Sequence, residues 1–368
     1  RRKSSGIPRG RRTALAQSGE AFQELDAFWH YGYNTRSEVT SGKRYFGTDV
    51  NETNNPVGLQ DFDYEYDSIG NRTSAARNGH SDSYTANSLN QYSERTVAGF
   101  VDVLGSANTG ATVTVNNSAV TRQGKYFHKE LTVTNTSDPV YQPVSVVGVY
   151  NPPGTNEDVV TTETGTVFVA ETPELFTFDD DGNMTQDGRF FYAWNGENRL
   201  IQASNSEHVI EYAYDYQGRM FKRVVDGVTN GYIWDGMNII AEIQPSQTNF
   251  NVWGQDLSGS LQGAGGIGGL VSCVSVSSGT SVVSLAFSDA NGNVTDYVST
   301  NGVVVAHREY SPFGSTLVLT GVNKDDFTYW SSTKPWEPQT GISHYQRRDY
   351  WVELARWGSR DPIGEIAF

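Results

Sequence analysis

Six times along this chain a Tyr, Phe or Trp alternates with one other residue and then runs into Asp or Asn, usually with Gly close behind. The copies are Y-E-Y-D-S-I-G-N-R from Tyr64, F-T-F-D-D-D-G-N from Phe176, Y-A-W-N-G-E-N-R-L from Tyr192, Y-A-Y-D-Y-Q-G-R from Tyr212, Y-I-W-D-G from Tyr232 and a degenerate Y-G-Y-N from Tyr31. Recurrence at about 20 residues marks a repeat architecture, in which no unit can bury its apolar face alone. Each copy reads as a β-hairpin. Alternation puts Tyr212 and Tyr214 on one face, and Gln217-Gly218 supplies the turn. Asp181-Gly182 and Asn195-Gly196 predict type I′ turns, whose two central residues need φ > 0. Residues 219–225 form the return strand before Asp226-Gly227 turns the chain again. Stacked in this way the hairpins make a long antiparallel sheet, with each cross-strand aromatic pair worth about 0.2–1 kcal/mol.

Composition agrees with strands and tight turns. Of 368 residues 12% are aromatic, 38 are Gly and only 19% are charged, whereas helices would want more Ala, Leu, Glu and Lys. The length suffices for two or three domains with a sizeable core. The net charge is −15, although Arg1, Arg2, Lys3, Arg9, Arg11 and Arg12 open the chain without an acid among them. An acidic body argues against binding a phosphate backbone. The basic start reads as a disordered end or linker over residues 1–20 rather than an interaction arm. Cys273 is the single cysteine, so there is no disulfide framework and no thiolate metal site. No apolar run approaches the roughly 20 residues that cross a bilayer, and the N-terminus lacks the apolar stretch of a signal peptide.

The rhythm breaks once. Residues 99–173 hold no copy of the repeat and carry β-branched alternations instead, at 111–115, 131–134, 144–149 and 166–169. Asn116-Asn117, Ser137-Asp138-Pro139 and Pro152-Pro153-Gly154 separate them, which predicts a small inserted β-sandwich. Residues 258–284, rich in Gly, Ser and Val, read as short strands with loose turns.

The unit Y-x-Y-D-x-x-G-N-R resembles the YD repeat of Rhs proteins, Tc toxin C components and teneurins. Residues 253–261, 287–294 and 309–314 are similar to late repeats of that family. Residues 339–350, followed by R-W-G-S-R-D-P-I-G from Arg356, are similar to its Rhs-associated core, with Gln339, His344, Val352 and Ala355 departing from the pattern. The resemblance implies an all-β fold in which stacked YD-repeat β-hairpins form part of a curved, shell-like sheet; the inserted Ig-like β-sandwich is read from the pattern of residues 99–173, which the resemblance does not cover. The expected organisation is hairpins over 21–98, insert over 99–173, hairpins over 174–305 and core over 306–368. The motif residues expected to shape it are Tyr64, Tyr66, Asp67, Gly70, Tyr212, Tyr214, Asp215, Gly218, Arg347, Tyr350, Arg356, Trp357, Pro362 and Gly364.

In that family the shell encloses or displays a C-terminal toxin, and the core acts as an aspartyl autoprotease that releases it. Acid–base cleavage needs two carboxylates, one activating water and one protonating the leaving group. The family draws them from two D-P-x-G elements. Here Asp361, preceded by Arg360, supplies one candidate half-site, and Phe368 comes before a second. The alternative at Asp361-Pro362 is a turn that closes the core. The resemblance therefore implies a non-enzymatic segment of a longer polypeptide, with an effector beyond residue 368 as partner. Self-cleavage in the parent and a cell-surface adhesion or carbohydrate-binding module are the other readings. Export machinery or a target-cell surface are further partners it implies, in a secreted or surface-exposed bacterial protein. No nucleic acid, membrane span, cofactor or metal is expected.

Other motifs carry less. Residues 263–268 match G-x-G-x-x-G, but no helix follows to bind a pyrophosphate, so a flexible hairpin connection is expected. Residues 179–183 and 289–293 resemble Ca²⁺ loops without the EF-hand order of ligands, and read as turns. The six histidines show no ligand spacing, and no G-x-S-x-G supports serine hydrolysis. Rings at period two beside turns read as a packed sheet face before a sugar-stacking surface.

Overall fold

The structure is a computed structural model that describes residues 11–17 and 26–361, together with the backbone of Ser4–Gly6. The chain divides into two units, Arg1–Leu175 and Phe176–Phe368. Both are built almost wholly from antiparallel strands, as the repeat predicts.

The Asp or Asn of each repeat makes the turn. The Asp67 carboxylate accepts the backbone N–H of Ile69 and Asn71, and Asp215 does the same for Gln217 and Arg219. Asn34, Asn195 and Asp289 each hold the residues two and four positions on in this manner. A residue in the left-handed region follows: Gly70 at φ 94°, Gly218 at φ 75°, Gly182 at φ 85° or Asn198 at φ 57°. This is a type I turn closed by a G1-type bulge, the usual three-residue hairpin connection. The type I′ expectation thus fails at Asp181-Gly182 and Asn195-Gly196. The Asx side chain that opens each turn, Asp179 or Asn195, captures the backbone N–H four residues on, so only Gly182 or Asn198 has to take positive φ. Type I′ geometry is found at Asp226-Gly227, where both φ values are positive.

The second aromatic of each copy has a separate task. Tyr214 Oη donates to the Leu200 carbonyl at 2.7 Å, Trp194 Nε1 to Met184 at 2.7 Å, Trp234 Nε1 to Met220 at 2.7 Å and Trp253 Nε1 to Ile239 at 2.9 Å. Tyr66 reaches the Val39 carbonyl and Tyr310 that of Val294. Each ring thereby ties its unit to the unit before it, at a carbonyl left open by the bulge. A half-buried ring with a polar tip serves both needs at once, which explains why Tyr and Trp, rather than Phe, dominate that position.

In the first unit nine strands form one sheet, in chain order up to Tyr92–Arg95. Arg12–Gln17, expected as part of a disordered end, is an ordered strand paired with Ala27–Tyr33. Its Ala14, Leu15 and Gln17 are buried, and that burial offsets the cost of ordering it. The ninth strand, Glu174–Leu175, pairs with Tyr92–Arg95, so the chain leaves the sheet and returns to the same edge. A buried Arg95–Glu174 ion pair closes the join, and Asn135 Nδ2 donates to the carbonyls of Val97 and Ala170 on the two connecting segments. Between them lie a four-stranded and a three-stranded sheet. Val101, Val133 and Val169 form one cluster of their shared core; Val113, Val115 and Phe127 form the other.

In the second unit fourteen strands follow one another in chain order, from Thr177–Phe178 to Thr316–Thr320. Leu270–Ser277 and Thr280–Ser288 are eight- and nine-residue strands joined through Ser278-Gly279. They replace the short strands expected there, and the pairing runs without a register shift from Ser272↔Leu285 to Ser277↔Thr280. A small sheet of Trp336–Glu337, Ile342–His344, Asp349–Trp351 and Arg356–Trp357 ends the described chain. One face of the large sheet buries Met184, Leu200, Ile210, Tyr212, Met220, Tyr232 and Tyr297; Ile233, Phe250, Val252 and Leu285 on the other are exposed. Among the described residues no helix is long and apolar enough to cross a membrane, which says nothing of strands.

Candidate functional site: the polar seam beneath the terminal sheet

Neighbouring repeat strands place charged and phenolic side chains in register on the buried face. Tyr212 lies opposite Arg223, and Tyr232 opposite Glu242. The terminal sheet covers them. Glu337, whose side chain is wholly buried, meets Arg223 through two oxygens, at 2.6 Å from Nε and 3.1 Å from Nη2. Burial pushes the Glu337 carboxyl up in spite of Arg223. For Arg223 burial is outweighed by Tyr232 and Glu337, so the guanidinium stays charged. Glu242 accepts the Thr328 hydroxyl at 2.7 Å. Burial raises both Tyr212 and Tyr232, with nearby carboxylates adding to it.

His344 stands on the middle of the terminal sheet. Its Nδ1 is 2.7 Å from Asp349 Oδ1, and its ring packs on Tyr212 with centroids 5.1 Å apart. Trp351 wedges between Tyr192 and Trp194, at 5.1 and 6.2 Å, and its Nε1 donates to the Tyr192 hydroxyl. Arg347 donates to the Gln217 carbonyl in a repeat turn. Gln346 donates to the Met237 carbonyl and Lys334 to that of Gly265.

The glycine-rich loop is a built connection rather than a flexible one. The Asp256 carboxylate accepts N–H groups from Ser258, Ala264 and Gly266 and the Ser258 hydroxyl. Burial works against the Asp256 anion, but these donors hold its carboxyl below the usual range. The two Ca²⁺-like stretches are repeat turns, with Asp179 and Asp289 oxygens given to Asn183 and Asn293.

Of the sequence-predicted site residues, Tyr212 lies within this seam, opposite Arg223 and against the His344 ring, and the others lie apart from it or around its rim. Asp361 pairs with Arg348 Nη2 at 2.8 Å, and Arg348 in turn covers the Trp357 ring at 4.3 Å. Arg360 packs over the Gly182 turn. Tyr350 and Trp357 are cross-strand partners with rings 5.2 Å apart, and Arg356 lies opposite Trp351. Tyr64 carries the Arg72 guanidinium over its face at 4.6 Å. Pro362 and Gly364 lie outside the described residues. Ala355, which stands where the family pattern has Gly, adopts φ 50°, a conformation that favours glycine. Sequence reading missed Arg223, Glu242, Lys334, Glu337 and Asp349. For Arg223, Glu242, Glu337 and Asp349 the signal was a charged residue at an inward position of a strand, and the bulges shift that parity by one; Lys334 follows a short 3₁₀ turn and carries no such signal.

Away from the seam, His307 sits buried between Asp296 at 2.7 Å and Glu309 at 3.3 Å. Burial alone would lower its pKa, but the two carboxylates raise it to about 9 from 6.5. A raised folded pKa contributes stability that is complete below pH 6.5 and lost as pH rises through 9. The full contribution is about 3 kcal/mol at acidic pH. The stability difference between wild type and His307→Gln, followed by thermal melts from pH 6 to pH 9.5, should shrink across that window; a flat difference would contradict the charge pairing.

No family model matches the chain. A 74-residue stretch, 19% of the chain, is 31% identical to the tRNA nuclease WapA of Bacillus subtilis strain 168. The tRNA(Glu)-specific nuclease WapA of Bacillus subtilis subsp. natto and the tRNA3(Ser)-specific nuclease WapA of Bacillus spizizenii match equally. This chain spans 3% of the length of each. Among solved structures, TcdB2-TccC3 is similar over 99% of this chain and 18% of that one, with 16% identity and a TM-score of 0.41. The form without the hypervariable C-terminal region gives 15% identity, 99% and 19% coverage, and a TM-score of 0.38.

Proposed function

We propose that this chain is a structural segment of a larger YD-repeat protein, a wall of stacked hairpins that encloses or displays an effector carried C-terminal to it. The observation that carries this reading is the fourteen-stranded sheet laid down in strict chain order, its units chained ring to carbonyl, with the core-like segment sealed onto its buried face. In the seam Arg223 and Glu337 are spent on each other, and Glu242 on Thr328, as in a joint. The resemblance of residues 339–350 and 356–364 to the Rhs-associated core supports the same reading. Secretion and a bacterial surface follow from that resemblance. The Ig-like character of the insert is read from its own β-branched pattern, for which two sheets around a valine core are the support. The nuclease activity of the WapA proteins is not proposed for this chain, which spans so little of them.

Self-cleavage at the core keeps Asp361 as its candidate, although an ion pair with Arg348 favours a closing role there. The repeat rings Tyr64, Tyr192, Tyr212 and Tyr232 are buried, which disfavours sugar stacking on them.

Native proteolysis of the polypeptide from its full reading frame tests the proposal. Sequence C-terminal to residue 368 should resist digestion while the array is intact and become sensitive in Leu200→Asp, which breaks the buried face. Equal digestion of that sequence in both proteins would sink the enclosure reading.

A further inference from the structure

Val159–Val169 is the outer strand of the four-stranded sheet within residues 99–173, and Val140–Tyr150 is its one strand neighbour among the described residues. The two pair over all eleven residues without a bulge. The outer strands of the other described sheets are two to seven residues long. Chains guard an exposed edge by keeping it short, by bulging it or by placing Lys or Pro on it, because its open backbone groups would pair with any other strand. Val159–Val169 has none of these guards. Apart from Glu163 and Gly165 it consists of Val, Thr and Phe, the residues that favour strands, and it is exposed from Val159 to Val167.

Which backbone groups face outward follows from the other side of the sheet. Ser145 donates its N–H to Asn116 Oδ1 and accepts the Asn116 N–H, both at 2.8 Å, so its backbone is turned away from Val159–Val169. Pairing alternates along an antiparallel ladder. Val144 and Val146 are therefore turned toward that strand, where they meet Gly165 and Glu163. The N–H and C=O of Val160, Thr162, Thr164 and Thr166 lie between those rungs and point off the edge. Gly165 is a second sign. Its φ is not in the left-handed region, and a Cβ built on it would meet nothing within 4 Å. Neither backbone geometry nor packing within this chain calls for glycine there, and a glycine inside a strand often marks the close approach of another backbone.

We propose that this edge is the docking surface for a second copy of this chain, the two Val159–Val169 strands pairing antiparallel about a two-fold axis through Thr164. Thr164 is the midpoint of the strand, so this axis overlays the two copies most fully. It brings the outward groups of Thr162 against those of Thr166, and those of Thr164 against its own counterpart, which is the parity a ladder requires. It also sets Glu163 of one copy opposite Gly165 of the other, where the missing Cβ leaves room for the longer side chain. Moving the axis one residue to Glu163 would set two carboxylates face to face, which opposes pairing. The strand is thus complementary to itself, with β-branched residues meeting one another on both sides of the axis. The pairing rests on residues 99–173 and is independent of what the repeat array encloses.

Sedimentation velocity on the 368-residue chain tests this. One strand pair is a small interface, so the expected result is a monomer at about 1 µM that becomes mostly dimer by about 200 µM. Thr164→Lys, which places the usual guard on a solvent-facing position of the edge, should remain monomeric across that range. A wild-type monomer at the highest concentration overturns the proposal, and so does a dimer that Thr164→Lys forms as readily. Oxidation reads the register. Thr164→Cys should give a disulfide-linked dimer, since a residue on the axis faces itself with about 5.5 Å between Cα atoms. Thr162→Cys should give about tenfold less, its own counterpart lying about 13 Å away along the strand. Cys273 is buried and does not compete. Cross-linking of Thr162→Cys that equals that of Thr164→Cys overturns the two-fold at Thr164.

Discussion

Arg223→Met is expected to destabilise the second unit by about 3–5 kcal/mol, because it strands Glu337 as an unpaired charge in a dry joint. The Glu337 side chain has no exposed surface, and Arg223 is its ion-pair partner at 2.6 Å. Glu337→Leu alone should cost a similar amount by stranding the guanidinium. The double variant Arg223→Met/Glu337→Leu should recover most of the loss, since an apolar pair of like volume avoids desolvating two ions. Urea denaturation of the four proteins completes the cycle. Additive losses in the double variant would show that the two charges do not depend on each other. The seam would then be a set of separate contacts rather than one joint.

Trp351→Ala is expected to cost about 3–5 kcal/mol as a large-to-small core change. It removes the ring that locks the terminal sheet between Tyr192 and Trp194, and it leaves the Tyr192 hydroxyl with one partner fewer. The same joint can be opened from the opposite direction. A Cβ added at Gly358 would come within 1.9 Å of the Trp351 ring, so Gly358→Ala must displace that ring or the strand behind it. Overpacking of this kind costs about 1–3 kcal/mol. Hydrogen exchange at residues 342–357 reads both variants, and faster exchange there ahead of the repeat strands is the expected pattern. Protection unchanged in Trp351→Ala would contradict a wedge role.

Much of the fold was legible because the repeat encodes it locally. Tyr212 and Tyr214 flank one residue, so both rings had to share a face, and Asp215 had to sit where the strand ends. The turn type was not legible. An Asp-Gly pair suits a type I′ turn, but Asp179 upstream of Asp181-Gly182 competes for the same N–H groups and wins. The seam was harder to see. Arg223 and Glu337 are 114 residues apart, and nothing local marks either as buried. His344 stood out as a departure from the family pattern, yet its partner Asp349 drew no notice. Residues 99–173 were separable because their β-branched pattern differs from the repeat. Their return to the edge they left needed the pairing of Glu174 with Arg95.

The ring-to-carbonyl bonds set the step by which such a chain can grow or shrink. Deleting a whole hairpin removes one indole or phenol together with one waiting carbonyl, and the next unit can dock on the previous one as before. Deleting half a hairpin strands a buried donor or acceptor and shifts every inward side chain to the wrong face. Stability in such arrays accumulates from units and their interfaces with nearest neighbours. Length is therefore quantised: inheritable changes in the extent of the sheet should come as whole hairpins.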